Sequence, residues 1–146
     1  MKEINNLFIY SIGALTYFAK RNEFYKATEW RNKLDAWAKD NGILTFNPAI
    51  TWLKEINHTY SGKMIVDQND HYINRSNIAV ASLECIDYSP GSIYEFTRFK
   101  EQRKPIIAFG TDKHWSPHIN SCISQQVDTI EDVIELLINE FQQGNF

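Results

Sequence analysis

The sequence predicts an α/β protein whose core is a mostly parallel, five-stranded sheet. Short apolar, β-branched runs alternate along the chain with segments of helical periodicity, and this alternation is typical of parallel strands joined by right-handed crossover helices. The runs are apolar throughout, which suits strands covered on both faces. The chain has 146 residues, enough for one domain with a sizeable core. We therefore expect a single domain over residues 1–146 with a flavodoxin-like three-layer fold.

The first two predicted strands flank a long helix. Leu7–Ile12 is an apolar run that ends at Gly13, and we predict it as the first strand. Apolar residues recur at helical spacing over Glu23–Asn41, and Gly42 is placed to end this helix in a left-handed cap. Ile43–Phe46 is the predicted second strand.

The middle of the chain supplies two further strands and two helices. Ala49–Lys63 mixes apolar and polar residues without a clear period, and we expect a short helix and a loop there. Met64–Ser76 has a helical pattern, and the apolar run Ile78–Leu83 is the predicted third strand. Pro90–Gln102 is the next predicted helix, and Pro105–Gly110 is the fourth strand.

The last part of the chain completes the sheet and adds a helix. We predict a loop over Thr111–Asn120 and a short fifth strand at Cys122–Ser124. Thr129 and Asp132 resemble a capping box at the start of the final helix. The apolar face of that helix is expected to comprise Ile130, Val133, Ile134, Leu137 and Phe141.

Composition and charge exclude several classes of partner. The net charge is −3 and 23% of the residues are charged, so no basic footprint for a nucleic-acid polymer is visible. No apolar run approaches the roughly 18 residues of a membrane span, and the start of the chain lacks a signal-peptide pattern. Cys85 and Cys122 do not make a disulfide framework. We expect a cytoplasmic protein with reduced thiols and no membrane partner.

A turn rich in small residues marks the candidate site. The stretch Asp87–Phe96 joins the third predicted strand to the next helix, and ligands of open α/β sheets bind at the carboxyl ends of strands. We expect Glu95 in the first turn of the helix, where the helix dipole stabilises an anion. Its carboxylate would be available as a nucleophile or base. Taken alone, Glu95 is better interpreted as a surface residue in the first turn of a helix, and the case for a functional role depends on the turn, the strand before it and the order of the motifs around it.

Several short motifs occur in the order typical of one enzyme family. Ile9–Gly13 has an aromatic-x-x-Gly pattern, and Phe46–Pro48 ends the second strand at a proline. Asp70 is an acid in the helix before the third strand, Ser89–Glu95 fits (Asp or Ser)-x-Gly-x-x-x-Glu, and Lys104–Ile107 begins a Lys-Pro-apolar strand. In these motifs the sequence resembles the nucleoside 2-deoxyribosyltransferase family, which includes related deoxynucleoside 5′-monophosphate N-glycosidases.

The resemblance implies a reaction at the N-glycosidic bond. It implies that Glu95 attacks the anomeric carbon of a 2-deoxynucleoside, that the base leaves, and that a second base or water takes the sugar from the enzyme. Asp70 is implied as the acid that protonates the leaving base. Tyr10 is an aromatic that could stack on the base. The expected partners are a nucleoside or nucleotide and a free base, with no cofactor.

The residues implied to bind substrate include two departures from the family pattern. In the family the acid lies eight residues before an Asp at the start of the third strand. That Asp is Asn77 here, and the residue eight positions before it is Asn69, so the proton donor is Asp70, Asp67 through a water, or neither. Ser89 replaces an Asp common in transferases, and relatives that hydrolyse 5′-monophosphates carry Ser there and bind phosphate. Asp87 is an alternative sugar ligand. The remaining implied contacts are Gly13, Gly91 and Ser92.

Other readings stay open at this stage. The reaction is transfer to a second base or hydrolysis of 5′-monophosphates, and a non-catalytic nucleotide-binding module is the competing class. His114, His118 and Cys122 are spaced by four residues, which on a continuous helix would suggest zinc, but Pro117 argues against such a helix. We expect no metal site, with His118 at the pocket rim instead. An aromatic content of 14% leaves room for a homodimer or higher homo-oligomer.

Overall fold

Five parallel strands in the order β2-β1-β3-β4-β5 form the centre of a computed structural model, which describes residues 7–50, 61–111 and 116–142. The strands are β1 (Phe8–Ile12), β2 (Leu44–Phe46), β3 (Ile78–Ser82), β4 (Ile106–Phe109) and β5 (Gln125–Val127). The α-helices are α1 (Thr16–Ala19), α2 (Tyr25–Asp40), α3 (Gly62–Arg75), α4 (Pro90–Glu101), α5 (Pro117–Cys122) and α6 (Ile130–Gln142). All four strand pairings are parallel, which confirms the predicted sheet and fold class.

Two apolar clusters, one on each face of the sheet, make the fold three-layered. One cluster joins β-strand residues to α3, α4 and α5 through residues such as Ile73, Phe96 and Ile119. The other joins the opposite face to α2 and α6 through residues such as Leu34 and Val133. Strand order reverses between β1 and β3, because the chain leaves β1 toward β2 on one side and returns past it to β3. That reversal creates a crevice at the carboxyl edge of the sheet.

Local end signals in the sequence are confirmed in two helices. Gly42 has a φ of 69° and follows the C-cap of α2, where the N–H of Ile43 donates to the carbonyl of Ala38 at 2.8 Å. At α6, the N–H of Thr129 donates to Asp132 Oδ2 at 3.2 Å, and the N–H of Asp132 donates to Thr129 Oγ1 at 3.1 Å. This reciprocal pair is the predicted capping box.

The structure corrects the prediction between β4 and α6. The predicted loop contains helix α5, which Pro117 begins rather than breaks, since proline at the first helical position loses no hydrogen bond. Ser116 caps this helix by accepting a hydrogen bond from the N–H of Ile119 at 3.3 Å. Cys122, assigned to the fifth strand, is the last residue of α5, and the strand runs from Gln125 to Val127 instead.

Two further predictions fall wholly or partly outside the described residues. The short helix and loop were expected over Ala49–Lys63, and most of that range lies outside the described residues. The helix expected from Met64 begins at Gly62. The side chain of Phe141 is also outside the description. No helix in the described part of the chain is long and apolar enough to cross a membrane.

Candidate active site

A pocket of about 210 Å³ lies at the carboxyl ends of β1 and β3. Its walls come from the residues that follow β1, from α3, and from the segment that leads from β3 into α4. Six of the nine residues predicted for the site line it: Gly13, Asn69, Ser89, Gly91, Ser92 and Glu95. The pocket therefore brings together residues that are far apart in the sequence.

Glu95 points into this pocket from the second turn of α4. The helix begins at Pro90 and carries no acidic residue in its first turn, so the expected first-turn position is wrong. Glu95 is only 9% exposed. Because the influence of a helix dipole falls off within the first turn, the carboxylate depends on other groups for its stabilisation.

Tyr10 is the direct partner of the carboxylate. Its hydroxyl donates a hydrogen bond to Glu95 Oε2, and its ring is fully buried between Phe46 and Phe99, with centroids 5.4 and 5.6 Å away. Tyr10 is not part of the pocket wall. Tyr10 therefore contacts the Glu95 carboxylate from the protein interior, and its buried ring cannot stack on a base in the pocket.

Burial dominates the protonation of Glu95. Loss of solvent raises the pKa of Glu95 to about 7, while the hydrogen bond from Tyr10 and the charge of Arg31 act to lower it and the charge of Asp70 adds to the rise. The pKa of Tyr10 is raised well above its usual value, first by burial and then by Glu95. At neutral pH the carboxyl is therefore close to its titration midpoint, and a shift of this kind by burial is common at functional sites.

Arg31 is a site residue that the sequence reasoning missed. It lies on α2, is fully buried, and donates from Nη1 to the carbonyl of Ala27 at 2.7 Å and from Nη2 to the carbonyl of Gly13 at 3.2 Å. A signal was present, because Arg31 occupies the same buried stripe of α2 as Ala27 and Leu34. A charged residue inside an apolar helical stripe indicates a buried charge that needs a partner.

Ser89 and Ser92 lie together at the start of α4. Their hydroxyl oxygens are 2.7 Å apart, and both residues line the pocket with Gly91. Ser89 is the N-cap residue, yet its side chain makes no capping hydrogen bond. Hydroxyl groups and first-turn N–H groups therefore converge on the pocket at the positive end of the helix.

The three residues considered for the proton-donor position, all in α3, have different surroundings. Asn69 lines the pocket, and its buried Oδ1 has no hydrogen-bond partner among the described residues. Asp70 is not in the pocket wall but accepts a hydrogen bond from the hydroxyl of Tyr94 at 2.8 Å, and Tyr94 lines the pocket. Asp67 is exposed and paired with Lys63. Asp70 thus reaches the pocket through Tyr94.

A short 3₁₀ helix at Ile86–Tyr88, not predicted from the sequence, shapes the other side of the pocket. It follows Cys85, whose φ of 55° turns the chain sharply after β3. Asp87 is exposed on this turn and lies outside the pocket wall, whereas Tyr88 lines the pocket and stacks on Tyr17 at 5.0 Å. The aromatic surface at the pocket is thus supplied by Tyr17 and Tyr88 rather than by Tyr10.

His118 lies away from the pocket. Its Nε2 is 2.8 Å from Thr97 Oγ1 and 4.0 Å from Cys122 Sγ, and it is not among the residues that line the cavity. His114 lies outside the described residues. Within the described ranges, no group of three or more His, Cys, Asp or Glu side chains could hold a metal ion.

Neither a scan of protein-family models nor a search of curated proteins finds a match for this chain.

Proposed function

We propose that the protein is an enzyme that cleaves the N-glycosidic bond of 2-deoxynucleosides and transfers the sugar to a second base. The observation that carries the proposal is Glu95, a buried carboxylate held by Tyr10 in a pocket at the strand-order reversal. Such a carboxylate can stabilise an oxocarbenium-like transition state and then bond to the sugar. The motif resemblance around Glu95 adds independent support.

In the proposed reaction, an oxygen of the Glu95 carboxylate forms a bond to the anomeric carbon as the bond from that carbon to the base nitrogen breaks. The leaving base takes a proton. The glycosyl ester is then attacked by a nitrogen of the second base, which releases the Glu95 carboxylate. Tyr10 remains hydrogen-bonded to the second oxygen of Glu95 and keeps it oriented.

We assign the proton of the leaving base to Asp70 and Tyr94 acting together. In its protonated form Asp70 donates to the Tyr94 oxygen, and the Tyr94 hydroxyl proton passes to the base. The 2.8 Å hydrogen bond between the two side chains and the position of Tyr94 in the pocket wall support this route. The same pair can accept a proton from the incoming base.

A second candidate, hydrolysis of deoxynucleoside 5′-monophosphates, is favoured by Ser89 and Ser92. Their adjacent hydroxyls, together with the N–H groups of Gly91 and Ser92, present donors to an anion at the start of α4. A phosphate on the sugar would occupy this position. In this reaction water replaces the second base as the acceptor of the sugar.

One experiment separates these candidates. The protein is incubated with deoxynucleosides or their 5′-monophosphates, with and without a free base, and the products are resolved by chromatography; Glu95→Gln is the control. Base exchange supports transfer, and base release from monophosphates without exchange supports hydrolysis. Ligand binding without turnover would indicate a non-catalytic binding module and would overturn the enzymatic proposal.

We further propose a homo-oligomer that works in the cytoplasm. Large apolar side chains are exposed on β2 and around the pocket, among them Leu44, Met64 and Tyr88 at 62%, 51% and 65%. A second copy of the chain could cover such residues. Analytical ultracentrifugation that gives only the monomer mass at micromolar concentration would contradict this part of the proposal.

A further inference from the structure

Arg31 is a buried guanidinium with an unusual set of partners. Two of its nitrogens donate to the carbonyls of Ala27 and Gly13, and its Cζ lies 4.5 Å from the centre of the Trp30 ring. Its Nε has no hydrogen-bond partner among the described residues. A buried charge is costly unless opposite charge compensates it, so the acids around Arg31 decide its role.

Glu95 is the acid that acts most strongly on Arg31. Burial lowers the pKa of Arg31 to about 10, and the charges of Glu95, Tyr10 and Asp35 act against that decrease, with Glu95 first. In return, the charge of Arg31 lowers the pKa of Glu95, as does the hydrogen bond from Tyr10 of β1. The charge of Asp70 of α3 raises it. Arg31 on α2 and Glu95 on α4 belong to helices on different faces of the sheet. They are linked through the pocket wall, because Gly13, whose carbonyl accepts from Arg31 Nη2, lines the same pocket as Glu95.

The second contact of Arg31 concerns the pocket wall. Gly13, which lines the pocket, has its carbonyl fixed by Arg31 Nη2 at 3.2 Å. A Cβ on Gly13 would lie 3.3 Å from the same Nη2 and 3.2 Å from Trp30 Cζ2. The guanidinium therefore packs closely against the backbone that shapes the pocket.

We propose that Arg31 is a positioning residue of the active site, which compensates the buried charge of Glu95 and holds the Gly13 carbonyl in the pocket wall. The kinetic consequence of this inference rests on the proposed function. The electrostatic consequence does not, because it concerns only the ionisation of Glu95.

The first test measures that ionisation by NMR, without turnover. Glutamate labelled with ¹³C at the side-chain carboxyl is titrated in the wild type, in Arg31→Met and in Lys33→Met, with Glu95→Gln to assign the signal. Lys33 is the matched control, since it lies on the same helix but is exposed and paired with Glu131 at 3.0 Å. We expect the Glu95 midpoint to rise by about one pH unit or more in Arg31→Met and to stay unchanged in Lys33→Met. An unchanged midpoint in folded Arg31→Met overturns the proposal.

A second measurement covers the case in which Arg31→Met does not fold. In the wild type, the ¹⁵N signals of the Arg31 guanidinium should move with pH at the same midpoint as Glu95, and this movement should vanish in Glu95→Gln. Guanidinium signals that ignore the titration of Glu95 would overturn the proposal without any change at Arg31.

The kinetic test uses the pH profile of kcat/KM. Loss of the Arg31 charge should shift the acid limb of the profile to higher pH. At a pH below the Glu95 midpoints of both proteins, kcat/KM of Arg31→Met should then be about tenfold lower than that of the wild type. Arg31→Lys keeps the charge but loses the fork, and we expect a near-wild-type acid limb with a raised KM. An Arg31→Met acid limb that coincides with the wild type would contradict the inference. If the wild type shows no turnover but the Arg31 and Glu95 signals titrate together, the proposed function is rejected and the inference about Arg31 stands.

Discussion

At the residue scale, the site depends on a carboxylate whose surroundings oppose its charge. Glu95 is buried and its pKa is raised to about 7 by desolvation, while Tyr10 and Arg31 limit that rise. These opposing effects leave the pKa of Glu95 near neutral pH, where both protonation states are accessible. The partners of Glu95 therefore matter as much as its position.

Replacement of Glu95, the proposed nucleophile, should remove most turnover but leave folding intact. Glu95→Gln keeps the size of the side chain and an oxygen that can accept from Tyr10, and we expect a loss of kcat on the order of 10³-fold or more. Mass spectrometry of the quenched wild type with a slow fluorinated sugar analogue should find the sugar on the peptide that carries Glu95. A folded Glu95→Gln protein that turns over near the wild-type rate would overturn the assignment.

The pair of Asp70 and Tyr94 should matter only for bases that need a proton to leave. We expect Asp70→Asn and Tyr94→Phe to lower kcat on the order of 10²-fold with ordinary deoxynucleosides, because general acid catalysis is removed. With 7-methyl-2′-deoxyguanosine, whose cationic base leaves without protonation, the loss should be small. Asp67→Asn is the matched control, since Asp67 lies on the same helix but is exposed. Equal losses with both substrates would refute the acid role.

At the element scale, two strand-to-helix connections contribute to the pocket wall beside α3, and each contains a glycine. After β1, Gly13 leaves room for Trp30 and Arg31 beneath the pocket wall. At the start of α4, Gly91 lines the pocket and is exposed, and a Cβ there would meet nothing within 4 Å. Close packing therefore requires a glycine at position 13 but not at position 91.

Alanine at these two glycines should separate stability from binding. Gly13→Ala should destabilise the fold by about 1–3 kcal/mol, since the methyl group would press on a packed tryptophan. Gly91→Ala should leave stability unchanged or raise it by up to about 1 kcal/mol, because alanine favours the helix, while the KM for substrate increases. Urea denaturation and steady-state kinetics measure both effects. A destabilised Gly91→Ala with unchanged KM would contradict this division.

At the scale of the whole molecule, burial of the Glu95 carboxyl lowers the stability of the folded protein at neutral and higher pH. In the unfolded chain Glu95 has its usual pKa near 4.5, and in the folded protein about 7, so the folded state holds the proton more tightly. Its contribution to stability is present below the lower value and is lost as the pH rises through the higher one. The difference corresponds to a free energy on the order of 3 kcal/mol.

Glu95→Gln should therefore stabilise the protein above pH 7. We expect the free energy of unfolding of the wild type, relative to the variant, to fall between about pH 5 and pH 8, by up to the order of 3 kcal/mol. Urea denaturation across this range measures the difference, and Asp67→Asn, which changes an exposed carboxylate, should follow the wild type. If the difference in the free energy of unfolding between the wild type and Glu95→Gln does not change with pH, the pKa of Glu95 is not raised by burial and this prediction is wrong.

The sequence by itself determined the order of the five strands and of the longer helices α2, α3, α4 and α6, since apolar runs and helical periodicity are local properties. The short helix α1 and the 3₁₀ helix after β3 were not predicted. It also determined the two helix-end signals at Gly42 and Thr129, and the position of Glu95 after the third strand. The sequence-based prediction was wrong between β4 and α6. Pro117 was interpreted as a residue that interrupts a helix, but with Ser116 as its N-cap it begins one.

The tertiary structure alone decided which groups control Glu95. Tyr10 and Glu95 are 85 positions apart in the chain and meet only because β1 and β3 are neighbours in the sheet. Arg31 arrives from a helix on the opposite face, and Asp70 reaches the pocket only through Tyr94. Burial, and with it the pKa of a carboxyl group, is set by these non-local contacts, so no local pattern of residue types could have fixed it.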